Sequence, residues 1–159
     1  MDEILEILEK NGRRTPAEIA TMLGKDEAEV KAAIADYENR NVITGYAALI
    51  NWDLTRQEMV TALIEVKVTP QRDRGFDKVA ERIYSYPEVK ACYLMSGGFD
   101  LTVVIEGRSM KEVALFVAEK LAPIEFVTST ATHFVLKKYK DNGIVFGASP
   151  EDDREQILL

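Results

Sequence analysis

The sequence predicts an α+β chain. A three-helix domain of the winged or helix-turn-helix kind comes first, and a ferredoxin-like βαββαβ domain follows. Three observations carry this reading. From Met1 to about Tyr37 apolar residues recur at helical spacing. From Met59 onward the periodicity switches in the order strand, helix, strand, strand, helix, strand. Between them "VITGYAALINWDLT" (42–55) turns extended, apolar and aromatic, and reads as a strand and linker. The expected organisation is therefore a helical domain over 1–50, a linker over 51–58, a βαββαβ domain over 59–140 and a C-terminal tail over 141–159.

Each helix of the first domain has its own start and stop signals. Ile4, Leu5 and Leu8 form the first apolar stripe, and Asn11-Gly12 is expected to end it in left-handed backbone. Thr15-Pro16-Ala17-Glu18 places threonine at the cap, proline at the first helical position and glutamate three residues after the cap. Ile19, Ala20 and Leu23 are the buried face of that helix, and Gly24 stops it. Asp26 and Glu29 repeat the cap-and-glutamate spacing before the stripe Val30, Ala33, Ile34, Tyr37. Ala20, Gly24 and Val30 fit a helix-turn-helix: a small residue for close approach, a glycine for the turn, an apolar residue to seat the third helix.

In the second domain "MVTALIEVKV" (59–68) alternates, with Val60, Ala62, Ile64, Val66 and Val68 on one face, and Pro70 ends it. "GFDKVAERIYSY" (75–86) is helical and buries Phe76, Val79, Ala80, Ile83 and Tyr84 before Pro87. "CYLMSGGFDLTVVIEG" (92–107) is a hairpin turning at Gly97-Gly98. Ser109 caps the next helix, with Met110, Val113, Ala114, Val117 and Leu121 on its inner face and Pro123 beyond its end. "FVTSTATHFVLKKYK" (126–140) is the last strand. Helices on one face leave the other sheet face bare. That face would carry Leu63, Val104 and either Tyr93 or Leu94, and an exposed apolar sheet face marks a partner surface. A homodimer through the sheets, and a larger symmetric ring, is the expectation. For the tail two readings stand: loosely ordered chain, or an edge strand from Ile144, Val145 and Phe146 added to a neighbour.

Composition narrows the function. The chain has 159 residues, 47% hydrophobic and 30% charged, with a net charge of −7. Its one cysteine, Cys92, allows no internal disulfide and reads as a small buried hydrophobe. No apolar run approaches the ~20 residues that span a bilayer, and Met1-Asp2-Glu3 is unlike the basic start of a signal peptide. A cytoplasmic location without membrane partners is expected. His133 is the sole histidine and lies in a strand, on the opposite face from Thr132 and Phe134. No ligand cluster, phosphate loop or nucleophile motif is present, so neither a metal, a cofactor nor an enzyme is expected.

The hairpin can be a turn and no more, with Asp100 capping it. It can also be a site. Gly97 and Gly98 expose backbone N–H groups able to cradle a carboxylate, and Asp100 can accept from an ammonium. Those are the two charged groups of an amino acid.

The order of elements resembles the Lrp/AsnC (feast/famine) transcription regulators over roughly residues 1–140. Three stretches carry the likeness. "VITGYAALIN" is similar to the family's Val-Ile-x-Gly-Tyr segment, "YLMSGGFDLTVVIEG" to its Thr/Ser-Gly-x-x-Asp hairpin, and "STATHFVLKKYK" to its last strand. The resemblance implies operator DNA as partner, dimers often assembled into octamers, and an amino acid or related effector bound at clefts between subunits of the C-terminal RAM domain. It maps that cleft onto Gly97, Gly98 and Asp100, with hydroxyls from Thr132 and Thr130.

The third helix departs from the family. Ala33 and Asp36 stand where arginines are usual, and Asn41 replaces a glycine while keeping the permissive backbone. Residues 1–50 hold six Lys/Arg against ten Asp/Glu, a net of −4. The candidate phosphate contacts are Arg13 and Arg14 before the second helix, Lys25 in the turn and Lys31 on the third helix. Two functions therefore stand: a DNA-binding regulator that senses a small molecule, or an oligomeric sensor and assembly protein with weak or lost DNA binding. DNA binding, where it occurs, is expected to be weak per subunit and salt-sensitive.

Overall fold

A computed structural model describes residues 2–69 and 75–147. The expected stop at Pro70 and the part of the tail from 148 onward lie outside the described residues. The chain forms two compact units, Met1–Ile50 and Asn51–Leu159.

The first unit holds α1 (Glu3–Lys10), α2 (Pro16–Leu23) and α3 (Glu27–Asn39). Ile4, Leu8, Ile19, Ala20 and Val30 make its core, with Tyr37 and Ile43 packed against them. The caps explain the boundaries. Thr15 and Glu18 form a reciprocal capping box on α2. Asp26 accepts from the N–H groups of Ala28 and Glu29 to start α3. Gly24, at φ +63°, makes the left-handed turn between them. Asp2 caps α1 through Ile4 and also accepts the Tyr37 hydroxyl of α3, tying the first helix to the third. The stop of α1 differs from expectation. Asn11 is extended, its side chain accepting the Arg13 N–H, and Gly12 lies against the Tyr46 ring. Asn41 does take left-handed backbone, at φ +55°.

The expected strand within 42–55 is not formed. Its only regular piece is a single 3₁₀ turn, Trp52–Leu54. The segment carries no ladder: among the described residues no strand pairs with it, and Tyr46, Leu49 and Ile50 remain exposed.

The second unit follows the predicted order: β1 (Val60–Val68), α4 (Asp77–Tyr84), β2 (Val89–Leu94), β3 (Leu101–Gly107), α5 (Met110–Phe116) and β4 (Val127–Phe134). The antiparallel sheet has the order β2-β3-β1-β4. Ala62, Ile64 and Val66 of β1 and Leu101, Val103 and Ile105 of β3 face the helices, packing on Val79, Ile83, Val113, Phe116 and Leu121. Burying a Val, Leu or Ile side chain contributes about 1.5–3 kcal/mol, so this layer dominates the unit's stability.

Three local expectations are corrected. Tyr84 is exposed, and Tyr86 packs instead, edge-on to Phe116. The chain leaves the helix at Ser85, which turns Tyr86 rather than Tyr84 inward. On α5, Met110 and Ala114 are exposed while Phe116 is buried. The buried set Val113, Phe116, Val117 and Leu121 keeps ordinary i, i+3, i+4, i+8 spacing, which centres the stripe on Phe116 instead of Ala114; a wider π-type turn follows over Val117–Leu121. The last strand ends at Phe134 rather than 140, because its partner β1 begins at Val60 and the final link is Val135 N–H to Thr61 O. Beyond it β5 (Lys140–Asp141) and β6 (Ile144–Val145) pair with each other in a small hairpin. Residues 141–147 are thus ordered by this hairpin and are not loose chain.

Candidate functional site

The β2–β3 connection is longer than a two-residue turn. Strand pairing ends at Leu94 opposite Leu101, and Met95 N–H donates to Asp100 O at 2.8 Å, leaving Ser96 to Phe99 at the tip. Gly97 has φ +135°, where a side chain would be strained, and nothing stands within 4 Å of a Cβ built on Gly97 or Gly98. The peptide groups of the tip are therefore open to a ligand.

Asp100 anchors this loop. Its N–H donates to Val66 O at 3.0 Å, and its Oδ2 accepts the Val68 N–H at 2.7 Å. Backbone pairing of β1 with β3 stops at Val66, so the carboxylate extends that ladder by one rung. The capping role and a binding role are not exclusive: among the described residues Oδ1 accepts no hydrogen bond.

Thr130 and Thr132 lie on β4, opposite Val66 and Ile64 of β1, half-buried on the helix side. Thr130 shares the sheet end of Asp100, two strands away, and Thr132 is one rung farther. One protomer brings Gly97, Gly98 and Asp100 together and leaves both threonines across β1.

The open face of the sheet carries Leu63, Val104 and Tyr93, with Leu63 40% and Tyr93 56% exposed. Leu94, opposite Leu101, belongs to the other face. His133 sits beside Leu63, its Nε2 3.4 Å from Glu65 Oε1. Lys138 lies 3.9 Å from both Glu106 and Asp141. Cys92 is half-buried on the helix side, and burial pushes its thiol pKa up, which keeps it unreactive.

On the helix-turn-helix, Arg13, Arg14, Lys25 and Lys31 are all exposed. Arg14 is held by Glu18 at 3.1 Å, one helical turn on, and the same Glu18 completes the capping box. Arg40, a cation that sequence reasoning did not place at the site, is held by Asp36 at 2.9 Å. The i,i+4 spacing was the signal that could have found that pair. Two of the unit's six cations, one just before α2 and one just after α3, are thereby matched to carboxylates of the adjoining helix, leaving Arg13, Lys25 and Lys31 as its exposed basic groups near the turn and third helix.

Comparison with known proteins agrees with this architecture. Residues 61–145 match the Lrp/AsnC ligand binding domain, and residues 3–44 match winged helix-turn-helix DNA-binding domains. The uncharacterized HTH-type transcriptional regulator YugG of Bacillus subtilis is 52% identical, covering 96% of this chain and 92% of the relative. The HTH-type transcriptional regulator LrpA of Pyrococcus horikoshii is 30% identical over 86% of this chain and 94% of its own. Among solved structures, the L-Met complex of a Neisseria meningitidis transcriptional regulator shares the fold, with a TM-score of 0.71 at 24% identity, covering 87% of this chain and 89% of that one.

Proposed function

Because the chain belongs to the Lrp/AsnC family of transcriptional regulators, with a helix-turn-helix DNA-binding domain and a ligand-binding domain, we propose that its effector is an amino acid or close analogue bound at the β2–β3 loop between subunits. The observation that carries this reading is the pairing, on one anchored loop, of open glycine peptides with the Asp100 carboxylate. Peptide N–H groups answer an α-carboxylate, and Asp100 Oδ1 answers an α-ammonium. A regulator from Neisseria meningitidis whose complex holds L-Met supports the choice of ligand class. The bare, partly apolar sheet face supports a homodimer formed sheet to sheet, with Leu63, Tyr93 and Val104 at its centre. Dimers then assemble further, to an octamer in the fullest form, and Thr130 and Thr132 complete the cleft.

Operator contacts in this reading come from Arg13, Arg14, Lys25 and Lys31. The acidic balance of the unit makes each motif a weak binder, so that affinity depends on several motifs engaged at once. A thermal-shift panel of the twenty amino acids tests the effector: a bound one raises the melting temperature by mass action, and no shift from any of them overturns the assignment. One observation favours a second reading, an assembly-competent sensor with little DNA affinity: the pairing of Arg14 and Arg40 with carboxylates. Gel retention of genomic fragments at about 50 and 200 mM salt separates the two, since phosphate contacts lose orders of magnitude in affinity over that range.

A further inference from the structure

The helix layer of the second unit holds a cavity of about 440 Å³ that lies within a single protomer. It sits between α4 and the end of α5, a size suited to a small molecule. Its floor is apolar and aromatic: Val79, Tyr86, Ile124 and Phe126. Two backbone irregularities border it. The π-type turn over Val117–Leu121 supplies Glu119 and Lys120, and Phe126 holds φ +74°, a costly conformation for an aromatic residue.

The rim carries charge of both signs. Lys78 and Arg82 stand one turn apart on α4, a like-charge i,i+4 pair that disfavours the helix. Among the described residues neither has a carboxylate within ion-pair distance, whereas Arg14, Arg40 and Lys120 each do. Arg82 is instead steadied on the face of Tyr86, 5.4 Å from the ring centroid. Lys120 lies 5.5 Å from the same ring and is bound to Glu88 at 2.5 Å. Glu119 and Glu125 are the acidic members of the lining. Two adjacent cations with no carboxylate partner among the described residues, set beside an aromatic floor, suit an anion with an apolar body.

We infer that this cavity is a second ligand site, distinct from the β2–β3 loop, for a small organic acid: its carboxylate on Arg82 and Lys78, its flat or branched body on Tyr86, Ile124 and Phe126. Arg82 offers a two-pronged donor matched to a carboxylate, and every residue named here belongs to one chain.

Calorimetric titration of the full chain with phenylacetate, 2-phenylethanol and phenethylamine tests it, because the three share a body and differ in head group. Phenylacetate is expected to saturate at one per chain, the alcohol to bind at least about tenfold more weakly, and the amine not at all. Arg82→Gln should weaken phenylacetate by about tenfold or more with an unchanged melt, and Ile124→Trp should fill the cavity and abolish binding. Arg82→Gln alone decides the matter if the tryptophan variant fails to fold. Asp100→Asn should leave phenylacetate binding unchanged, which keeps this site separable from the loop. Equal binding of acid and alcohol, no effect of Arg82→Gln, loss on Asp100→Asn, or no saturable phenylacetate binding would each overturn the proposal.

Discussion

Asp100 is the residue at which structural and ligand-binding roles meet, and two substitutions pull them apart. Alanine removes the acceptor that Val68 N–H uses at 2.7 Å. That N–H lies beyond the last backbone rung between β1 and β3, so no strand carbonyl of β3 takes over. Leaving a half-buried donor unmatched costs about 1–3 kcal/mol. For a unit near a hundred residues each kcal/mol lowers the melting temperature by roughly 4–8 °C. Asparagine keeps an oxygen for Val68 but loses the charge. Its neutral hydrogen bond has roughly half the strength of the charge-assisted one, so the stability loss should be about 1 kcal/mol or less.

Ligand binding should rank the same two variants differently. An α-ammonium loses its counter-charge in both, so both should bind the amino-acid effector at least about tenfold more weakly. Urea denaturation read by circular dichroism, together with calorimetry using whichever amino acid shifts the melt, gives the two columns. The expected pattern is alanine destabilised and binding-deficient, asparagine near native in stability but still binding-deficient. Wild-type affinity in the asparagine variant would refute the ammonium contact. A wild-type urea midpoint in the alanine variant would refute the extra-rung account of the loop.

Three further outcomes are expected. Asp36→Arg removes the carboxylate that holds Arg40 and adds a cation to α3; in gel retention it should tighten DNA binding and steepen the log–log salt slope by about one per new phosphate contact, and no change would place that face away from DNA. Leu63→Glu puts a charge at the centre of the bare sheet face; sedimentation velocity should show a shift toward smaller species while circular dichroism stays native. Asp2, Glu18 and Glu88 all have pKa values lowered in the fold, chiefly by the Tyr37 hydroxyl, the Thr15 N–H and the Lys120 ammonium respectively. Their stabilisation is thus complete above the unfolded values of 3.8 and 4.5 and fades as pH falls through the lower folded ones. Tyr37→Phe should flatten the acid dependence that Asp2 contributes, measured as melting temperature between pH 6 and 3.

The elements written in local chemistry were the legible ones. Caps such as Thr15-Glu18, the turn at Gly24 and the alternation of β1 act through neighbours in sequence, and the structure keeps all three. Two of the failures share a different cause: each depended on a distant partner. The aromatic stretch after Asn41 has strand composition but, among the described residues, no strand paired with it. The last strand stops where β1 stops. On α5 the sequence allowed either Ala114 or Phe116 beside Val113 and Val117 at helical spacing, and the larger ring is the one buried.

The same distinction governs the site. Gly97, Gly98 and Asp100 are close in sequence and remain close in space, so their grouping could be read from the chain. Thr130 and Thr132 could be reached only through resemblance, and the register shows why. Asp100 borders β3 and Thr130 lies on β4, with β1 between them. Two strand spacings amount to roughly 10 Å, whereas the ammonium and carboxylate of an α-amino acid are bonded to one carbon. Within one chain β1 therefore stands between the strand that carries the loop and the strand that carries the hydroxyls. If the hydroxyls that meet an effector on this loop come from another copy, effector affinity rises with protein concentration through the range in which the subunits associate, and a concentration-independent affinity refutes that arrangement.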